Sequence, residues 1–267
     1  RLCLASVVRF APPGTELVVV DDASPAAVAS RTAADFPGVR VVRLPKRSGF
    51  CVAANAGVAA ATADVVELLN DDAEVTAGWA AAATHFADPS VGAVAPLVLQ
   101  NDPDRLARGL PPLVDSAGDE YDPGGFARKR WHGLEIRHGD TEGGRQGDPN
   151  RWSFSPCLPP SVSPCLASVW GASACAAFYR RSAVLAAGGF PDHFGAYFED
   201  VDLSFRLRRL GFDVRFDPAS VVWHRVSASY GRTPSRRVLE QQSCNEERVF
   251  WRNVRGRDRV RYLPRHA

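Results

Sequence analysis

Three pairs of adjacent acidic residues and one histidine are the side chains of this sequence best suited to chemistry. The pairs are Asp21-Asp22, Asp71-Asp72 and Glu199-Asp200, and the imidazole is that of His224. The first two pairs each follow an apolar, β-favouring run directly, and loops beyond strand ends carry function in open α/β sheets. Several carboxylates with one imidazole suit a hard or borderline divalent cation. Such a cation would neutralise a departing diphosphate, so the pattern indicates a metal–diphosphate site.

Each of these groups also has an ordinary structural explanation. Ser24 is a good N-cap for the helix that follows Asp21-Asp22, and Asp72 is equally suited to begin the next helix. Glu199-Asp200 would stabilise a helix dipole, and a lone histidine is more often structural than a ligand. The turn 46–49 would offer free N–H groups to a phosphate, although many surface turns look alike. The residues alone therefore leave both interpretations open.

The elements that must position these side chains alternate between strands and helices over the first hundred residues. This alternation indicates βαβ units and a parallel sheet flanked by helices. Right-handed crossovers place the carboxyl ends of such strands at one edge, so Asp21, Pro45–Gly49 and Asn70–Asp72 are predicted to converge there. The predicted strands are Glu16–Val20, Val39–Leu44, Ala63–Leu69 and Val91–Leu99, and the predicted helices are Arg1–Phe10, Pro25–Phe36, Ser48–Thr62 and Thr76–Ala87.

The pattern changes after residue 100. Residues 101–168 are rich in glycine and proline, which predicts an irregular excursion with a mobile stretch at 139–150. An amphipathic helix follows over Glu199–Leu210, ended by Gly211, and strands then lead to His224. The other predicted elements are a strand-like Val169–Phe178, a helix Arg181–Ala187, strands Phe212–Phe216 and Val221–Trp223, and a helical tail from Ser235 to Val254.

Composition narrows the class of protein. The 267 residues carry a net charge of +2 and no basic stripe, which argues against a nucleic-acid partner. No apolar run approaches the roughly 20 residues that cross a bilayer. The six cysteines include no C-x-x-C pair, so reduced thiols are expected, with a Cys157–Cys165 bridge as a weaker alternative. Neither a Gly-x-Ser-x-Gly elbow nor a P-loop occurs, which disfavours those hydrolases and P-loop proteins.

Seven short motifs in a fixed order, over roughly residues 1–232, make the sequence resemble family-2 glycosyltransferases. Within that family, the motifs are most similar to those of the rhamnosyltransferase-like branch. The resemblance implies a GT-A fold: an α/β, Rossmann-like, mostly parallel twisted sheet flanked by helices, shared by a nucleotide-binding half and an acceptor half. The motifs are Val18–Ser24, Gly49-Phe50 with Asn55–Gly57, Leu68–Val75, Phe178–Arg181, Gly188–Phe190, Phe198–Leu203 and Trp223-His224.

The resemblance also implies inverting transfer of a sugar from a nucleotide-diphosphate donor, with Mg²⁺ or Mn²⁺. Asp200 matches the catalytic base, with Glu199 beside it, and Asp72 and His224 match the metal site. Asn70 stands where many relatives have a first metal-binding aspartate, so Asp72 is the only strong carboxylate ligand that this motif assures for the metal. The residues expected at the nucleotide are Asp21, Asp22, Ser24, Gly49, Asn55 and Asp71.

The same resemblance suggests domains, partners and location. We expect a nucleotide-sugar-binding half at 1–100, an acceptor-binding and catalytic half at 101–234 and a helical tail at 235–267. The family's first strand is missing before Arg1, which favours an N-terminally truncated chain, and the sequence has no Met. The expected donor class includes dTDP-rhamnose, the expected acceptor is a glycan or lipid-linked glycan, and the expected location is the cytoplasm, with peripheral membrane association.

Two other functions stay open at this point. A degenerate, non-catalytic nucleotide- or sugar-binding module is favoured slightly by Asn70 and the missing strand, and disfavoured by the joint presence of Asp72, Asp200 and His224. A nucleotidyltransferase would share the sheet, but the Glu199-Asp200 helix argues against it.

Overall fold

The strands of the protein form one six-stranded mixed sheet and two smaller two-stranded sheets in the computed structural model, which describes residues 1–122, 124–136, 168–225 and 235–266. The strands are β1 (Leu17–Asp21), β2 (Val39–Arg43), β3 (Val65–Glu67), β4 (Ala73–Val75), β5 (Val91–Gln100), β6 (Val114–Ser116), β7 (Asp119–Asp122), β8 (Phe126–Lys129), β9 (Phe178–Arg180) and β10 (Asp213–His224). The large sheet has the order β3-β9-β5-β10-β4, with β6 also paired to β5, while β1 pairs with β2 and β7 with β8.

Helices pack on both faces of this sheet. They are α1 (Leu2–Phe10), α2 (Val28–Ala34), α3 (Phe50–Ala60), α4 (Pro103–Ala107), α5 (Arg181–Ala186), α6 (Glu199–Arg209), α7 (Arg236–Asn253) and α8 (Gly256–Tyr262), with 3₁₀ segments at Pro25–Ala27, Trp79–Ala87, Asp192–Phe194 and Leu263–Arg265.

The pair β5–β10 forms the centre of the molecule. β5 is buried along almost its whole length, as expected for a continuous apolar strand covered on both faces. Its alternate residues enter two cores: Leu97 and Leu99 pack with α3 and α6, while Val94 and Val98 pack with α1 and Trp79. β10 runs parallel to β5 with a bulge between Asp217 and Val221, and it ends with His224 opposite Gln100.

The predicted α/β class with flanking helices is confirmed, but the strand directions are mixed rather than mostly parallel. Only β1–β2 and β5–β10 are parallel among the described pairs, and the others are antiparallel. The short strands β4, β6 and β9 cause the difference, because each joins a long neighbour in the opposite direction. β4 lies where we expected only a ligand loop and a helix start.

Several boundaries differ from the prediction. The expected helix Thr76–Ala87 is a 3₁₀ segment, Trp79–Ala87, and the expected strand Val169–Phe178 contributes only its last residue to β9. The stretch expected to be irregular carries α4 and β6–β8 before residue 137. The expected strands Phe212–Phe216 and Val221–Trp223 are two parts of β10. The tail is helical as α7, followed by α8.

Three described cysteines are buried thiols and one is exposed. Cys3, Cys51 and Cys175 are buried and Cys244 is exposed, all four unpaired. Cys157 and Cys165, like the stretch 139–150 expected to be mobile, lie outside the described residues. Within the described part of the chain, no helix is both long and apolar enough to cross a bilayer.

Candidate active site

His224 brings Asp72 and a third residue, Asp115, to one point at the end of the central sheet. β10 pairs antiparallel with β4, so His224 lies opposite Ala73, the neighbour of Asp72. Nε2 of His224 is 3.2 Å from Oδ1 of Asp72, and Nδ1 is 3.0 Å from Oδ2 of Asp115. The predicted convergence of Asp72 and His224 is therefore present, and both partners are carboxylates, one at each ring nitrogen.

Asp115 holds this cluster together, and it was not among the residues predicted from the sequence. It is fully buried on β6, and both of its carboxylate oxygens lie 3.0 Å from Nζ of Lys129. Burial alone would raise the pKa of this carboxyl, but the hydrogen bond with His224 and the charge of Lys129 outweigh it and lower the pKa to about 2. Asp115 is thus an anion with two cationic or hydrogen-bonding neighbours.

The charge of His224 follows from the same contacts. Burial would lower the pKa of the imidazole, but the hydrogen bond to Asp115 and the nearby carboxylate of Asp72 raise it to about 9. For Lys129, burial likewise acts to lower the pKa, and the Asp115 carboxylate raises it overall. Without a bound cation, the cluster therefore balances two carboxylates with an imidazolium and an ammonium.

The donor atoms at this point fit a divalent cation. Oδ1 of Asp72 is buried and receives no hydrogen bond from any described residue, although Nε2 of His224 is near it. Asp115, Cys175 and His224 also place ligand atoms within 4.8 Å of one another. Lys129 and Nδ1 of His224 already occupy the oxygens of Asp115, and burial raises the pKa of the Cys175 thiol, which disfavours the thiolate that a metal needs. Asp72 and Nε2 of His224 are therefore the donors left for the ion. A histidine held at its other nitrogen by a carboxylate is a common arrangement at metal sites.

Glu199 and Asp200 lie next to this cluster, at the start of α6. Oδ2 of Asp200 accepts the N–H of Ala174 at 3.0 Å, and the following residue, Cys175, places Sγ beside His224 and Asp115. The two groups of site residues are therefore joined through two consecutive backbone positions. Burial raises the pKa of the Asp200 carboxyl, despite its hydrogen bonds from the backbone.

Two other carboxyl groups surround Asp200. Glu199 is buried, and burial together with the Asp200 charge holds its pKa well above the usual range. Asp119 on β7 is equally buried, and burial and the charge of Asp200 raise its pKa in the same way. Oε2 of Glu199 and Oδ2 of Asp119 receive no hydrogen bond from the described residues. Asp200 thus sits among carboxyls that favour the protonated form.

The first acidic pair is separate and largely engaged by the protein itself. Asp21 is fully buried, accepts N–H bonds from Ser24 at 2.7 Å and Ser30 at 3.2 Å, and forms an ion pair with Arg43. Asp22 accepts the N–H groups of Ser48 at 2.6 Å and Gly49 at 2.8 Å, just before α3. The pair thereby closes the loops at the ends of β1 and β2.

The remaining residues expected at the nucleotide are dispersed. Ser24 Oγ accepts the N–H of Ala29 at 3.1 Å and makes no side-chain capping bond to the 3₁₀ segment Pro25–Ala27. Asp71 is exposed. Asn55 on α3 exchanges two 2.8 Å hydrogen bonds with the backbone of Phe190. Cys51, two residues after Gly49, donates its N–H to the Gly195 carbonyl at 3.2 Å, so the start of α3 contacts the loop that leads to Asp200.

Sequence reasoning missed Asp115, Asp119 and Lys129 because the segment that carries them is rich in glycine and proline. β6 is three residues long and wholly buried, although Asp115 and Ser116 are polar, so no alternation of apolar and polar residues marks it in the sequence. Cys175 was predicted only to be a reduced thiol, which agrees with its unpaired, buried state and does not indicate its position beside His224.

This mixed sheet, with its acidic strand ends and flanking helices, has the fold of GT-A glycosyltransferases. A crystal structure of GalNAc-T7 with UDP, GalNAc and Mn²⁺ matches 93% of this chain and 44% of its own, with a TM-score of 0.62 and 17% identity. The mannosyltransferase PcManGT from Pyrobaculum calidifontis, in complex with GDP-Man and Mn²⁺, matches 98% of this chain and 63% of its own, with a TM-score of 0.55 and 20% identity.

The sequence comparison gives the family. The model of glycosyl transferase family 2 matches residues 1–142, and the chain belongs to that family. The pre-mycofactocin glycosyltransferase of Mycobacterium tuberculosis is 31% identical over 218 residues, which cover 79% of this chain. The chain spans 37% of the length of that relative. The family resemblance and the GT-A fold deduced from the motifs are both confirmed.

Proposed function

We propose that this chain transfers a sugar from a nucleotide-diphosphate donor to a hydroxyl group of an acceptor. The observation that carries the proposal is the junction at Ala174-Cys175, which joins the Asp72–His224 donors to Asp200. A transferase needs a cationic site for the departing diphosphate and a base for the incoming hydroxyl next to each other, and this junction provides that proximity.

Asp200 would act as the base. Its carboxylate takes the proton of the acceptor hydroxyl while the hydroxyl oxygen bonds to the anomeric carbon, and the bond from that carbon to the diphosphate breaks. Attack from the face opposite the diphosphate inverts the configuration at the carbon. The raised pKa of Asp200 suits this role, because a base is most effective when its pKa lies near the working pH.

Asp72 and Nε2 of His224 would hold the divalent cation, Mg²⁺ or Mn²⁺. When bound, the ion supplies charge neutralisation for the departing nucleoside diphosphate. Both structural neighbours named above were solved with Mn²⁺, which supports this part of the proposal. Asp115 keeps Nε2 directed at Asp72 by accepting the hydrogen of Nδ1, and Lys129 adds a fixed positive charge behind it.

The nucleotide would occupy the region of Asp22, Ser24, Gly49 and Asp71, with Asp21 and Asn55 holding the surrounding loops. The donors bound by the neighbours carry UDP and GDP, and the motif resemblance favours dTDP-rhamnose, so the donor class is a nucleotide-diphosphate sugar. The acceptor that we propose is a glycan or a lipid-linked glycan, met in the cytoplasm at the inner face of the membrane.

The test is a donor panel with one substitution at the base. The purified chain would be incubated with Mn²⁺ and UDP-, GDP- and dTDP-sugars, with water as the acceptor hydroxyl, and the nucleoside diphosphate released by donor hydrolysis would be measured. For the donor that is turned over, Asp200→Asn is expected to lower the rate by about 10²–10⁴-fold, the usual contribution of a general base. Donor affinity is expected to stay within about twofold, because the base contacts the acceptor rather than the nucleotide.

Asp213→Asn is the matched control, since it makes the same change at an exposed position at the other end of β10. Full turnover by Asp200→Asn would refute the base assignment. Tight donor binding by the wild type without turnover of any donor would favour the non-catalytic binding module, for which Asn70 is the motivating residue.

A further inference from the structure

The chain turns sharply just before Glu199, in conformations that most side chains disfavour. Tyr197 and Phe198 have φ angles of 72° and 65°, and Gly195 has 69°. Consecutive non-glycine residues in the left-handed region are rare and persist only where the surroundings fix them. This turn decides where α6 begins, and therefore where the Asp200 carboxylate points.

One buried amide on α7 fixes this turn. Asn245 is fully buried, and its Nδ2 lies 2.9 Å from the Phe194 carbonyl and 2.8 Å from those of Ala196 and Tyr197. Gln241, one helical turn earlier, donates to the carbonyls of Phe194 at 2.9 Å and Ala196 at 3.2 Å. Phe194 ends the 3₁₀ segment Asp192–Phe194, and its carbonyl also accepts the Ala196 N–H at 2.8 Å. Ala196 and Tyr197 lie beyond that segment and before α6, so the side-chain amides supply their carbonyls with hydrogen bonds that regular structure would otherwise supply.

The far end of α7 is fixed to α6 itself. Asp202, two residues after Asp200, is fully buried and accepts from Asn253 Nδ2 at 2.7 Å and Arg252 Nε at 3.1 Å. Its other oxygen accepts from Arg206 at 2.8 Å. α7 therefore binds the chain on both sides of Asp200, before it through Asn245 and after it through Asn253.

On its opposite side, the same turn contacts the beginning of α3. The Gly195 carbonyl accepts the Cys51 N–H at 3.2 Å, and a side chain at Gly49 would lie within 3.6 Å of that oxygen. The turn is thus held between α7 and the helix start that we assign to the donor. A shift of the turn would move the base relative to the donor without altering either residue.

We propose that Asn245 is a positioning residue for Asp200, and that α7 is a functional part of the acceptor half. The inference rests on the proposed transferase function. Asn245 touches neither substrate nor ion in this arrangement; it acts by holding residues 194–198 in the strained turn. The proposal also gives a role to Arg252 and Asn253, which hold the start of α6 through Asp202.

The test uses two substitutions at one position. Asn245→Leu keeps the branching at Cγ and cannot donate, while Asn245→Asp keeps the shape and the acceptor for Arg248 Nη1, which lies 2.6 Å from Oδ1. Ser243→Leu and Ser243→Asp, at an exposed position of the same helix, are the controls. The measurements are kcat, KM for the acceptor, donor affinity with Mn²⁺, and amide hydrogen exchange of residues 194–200.

Both Asn245 variants are expected to lose kcat by about 10²-fold, the effect of roughly 1 Å of misplacement, with donor affinity within about twofold. Exchange should be faster in residues 194–200 and unchanged in β5 and β10. Wild-type kcat in a folded Asn245 variant, or unchanged exchange in that segment, would overturn the inference. If the wild type turns over no donor, the proposed function fails, and the exchange comparison still decides whether Asn245 holds the turn.

Discussion

At the scale of single residues, Asp115 orients the candidate site although it was not predicted from the sequence. Its carboxylate contacts both Nζ of Lys129 and Nδ1 of His224, and Nδ1 of His132 lies 2.8 Å from its backbone oxygen. The acceptor at Nδ1 decides which nitrogen of His224 is free for an ion. Asp115 is important because its place on β6 puts its carboxylate next to His224, and not because of its residue type.

Asp115→Asn therefore tests how His224 is oriented. An amide can present its N–H₂ to Nδ1 and so favour the wrong tautomer, and we expect Mn²⁺ affinity to fall by about 10–100-fold, as is usual for the outer partner of a ligating histidine. Mn²⁺ binding can be followed by electron paramagnetic resonance, without any turnover. Asp122→Asn, exposed on β7, should bind Mn²⁺ like the wild type. Equal affinity in both variants would show that Asp115 does not orient the ligand.

At the scale of elements, β3 contains the carboxyl group of Glu67, which is only partly hydrogen-bonded. Oε2 of Glu67 accepts from Trp79 Nε1 at 2.9 Å, whereas Oε1 is buried and receives nothing from the described residues. Burial raises the pKa of Glu67 to about 8. Because the folded protein then binds this proton more tightly than the unfolded chain, Glu67 lowers stability progressively as the pH rises from about 4.5 to about 8.

Glu67→Gln should remove this pH dependence, since glutamine keeps the acceptor for Trp79 and carries no charge. We expect the melting temperature of the variant to exceed that of the wild type by on the order of 5 °C at pH 8, with the difference shrinking towards pH 4.5. Thermal unfolding at several pH values measures it. Glu120→Gln, at a half-buried position of β7, should show no such trend. A gap that stayed constant with pH would mean that Glu67 does not titrate as described.

The elements also show how far the sequence could lead. The apolar runs at Leu17 and Val91 and the amphipathic pattern of α6 were sufficient to place β1, β5 and α6, because local hydrophobic periodicity decides those elements. β4 could not be found in this way. It consists of three residues directly after Asp72, and it exists because β10 offers it a partner 150 residues later in the chain.

The same limit applied to the candidate site. Asp72, Asp200 and His224 were named from strand ends, a helix start and family motifs, and the structure brings the surroundings of all three together. Asp115, Lys129 and Asn245 were not named, since each acts through a contact made across the fold rather than through its neighbours in sequence. A buried polar residue becomes recognisable only when its partner is known.

At the scale of the whole molecule, one sheet connects the predicted halves. β3, β4 and β5 come from residues 1–100, and β9 and β10 come from residues 101–234. The third segment packs onto the second through α6 and α7 and reaches the β7–β8 hairpin, where His266 Nε2 lies 2.7 Å from the Gly124 carbonyl. The division at residues 100 and 234 stays a prediction about function, because the strands of the central sheet cross the first boundary.

The architecture places the proposed donor region and the proposed base on opposite sides of the turn at residues 194–198. Among the described residues, α3 is linked to the segment before α6 by the Cys51–Gly195 hydrogen bond and by the bonds of Asn55 to Phe190 and Asp192. The site is therefore assembled from remote segments, and its geometry depends on the packing of α3, α6 and α7.

We propose above all that Asp72 and His224 hold a cation at the diphosphate, within reach of Asp200. A crystal structure of the chain with Mn²⁺ and a nucleoside diphosphate, with the ion located by anomalous scattering, tests it most directly. We expect one strong peak that is coordinated by Oδ1 of Asp72 and Nε2 of His224 and that contacts the diphosphate. The ion pair between Lys129 and Asp115 should be retained. A diphosphate bound elsewhere, or a peak that Asp72 and His224 do not coordinate, would contradict it.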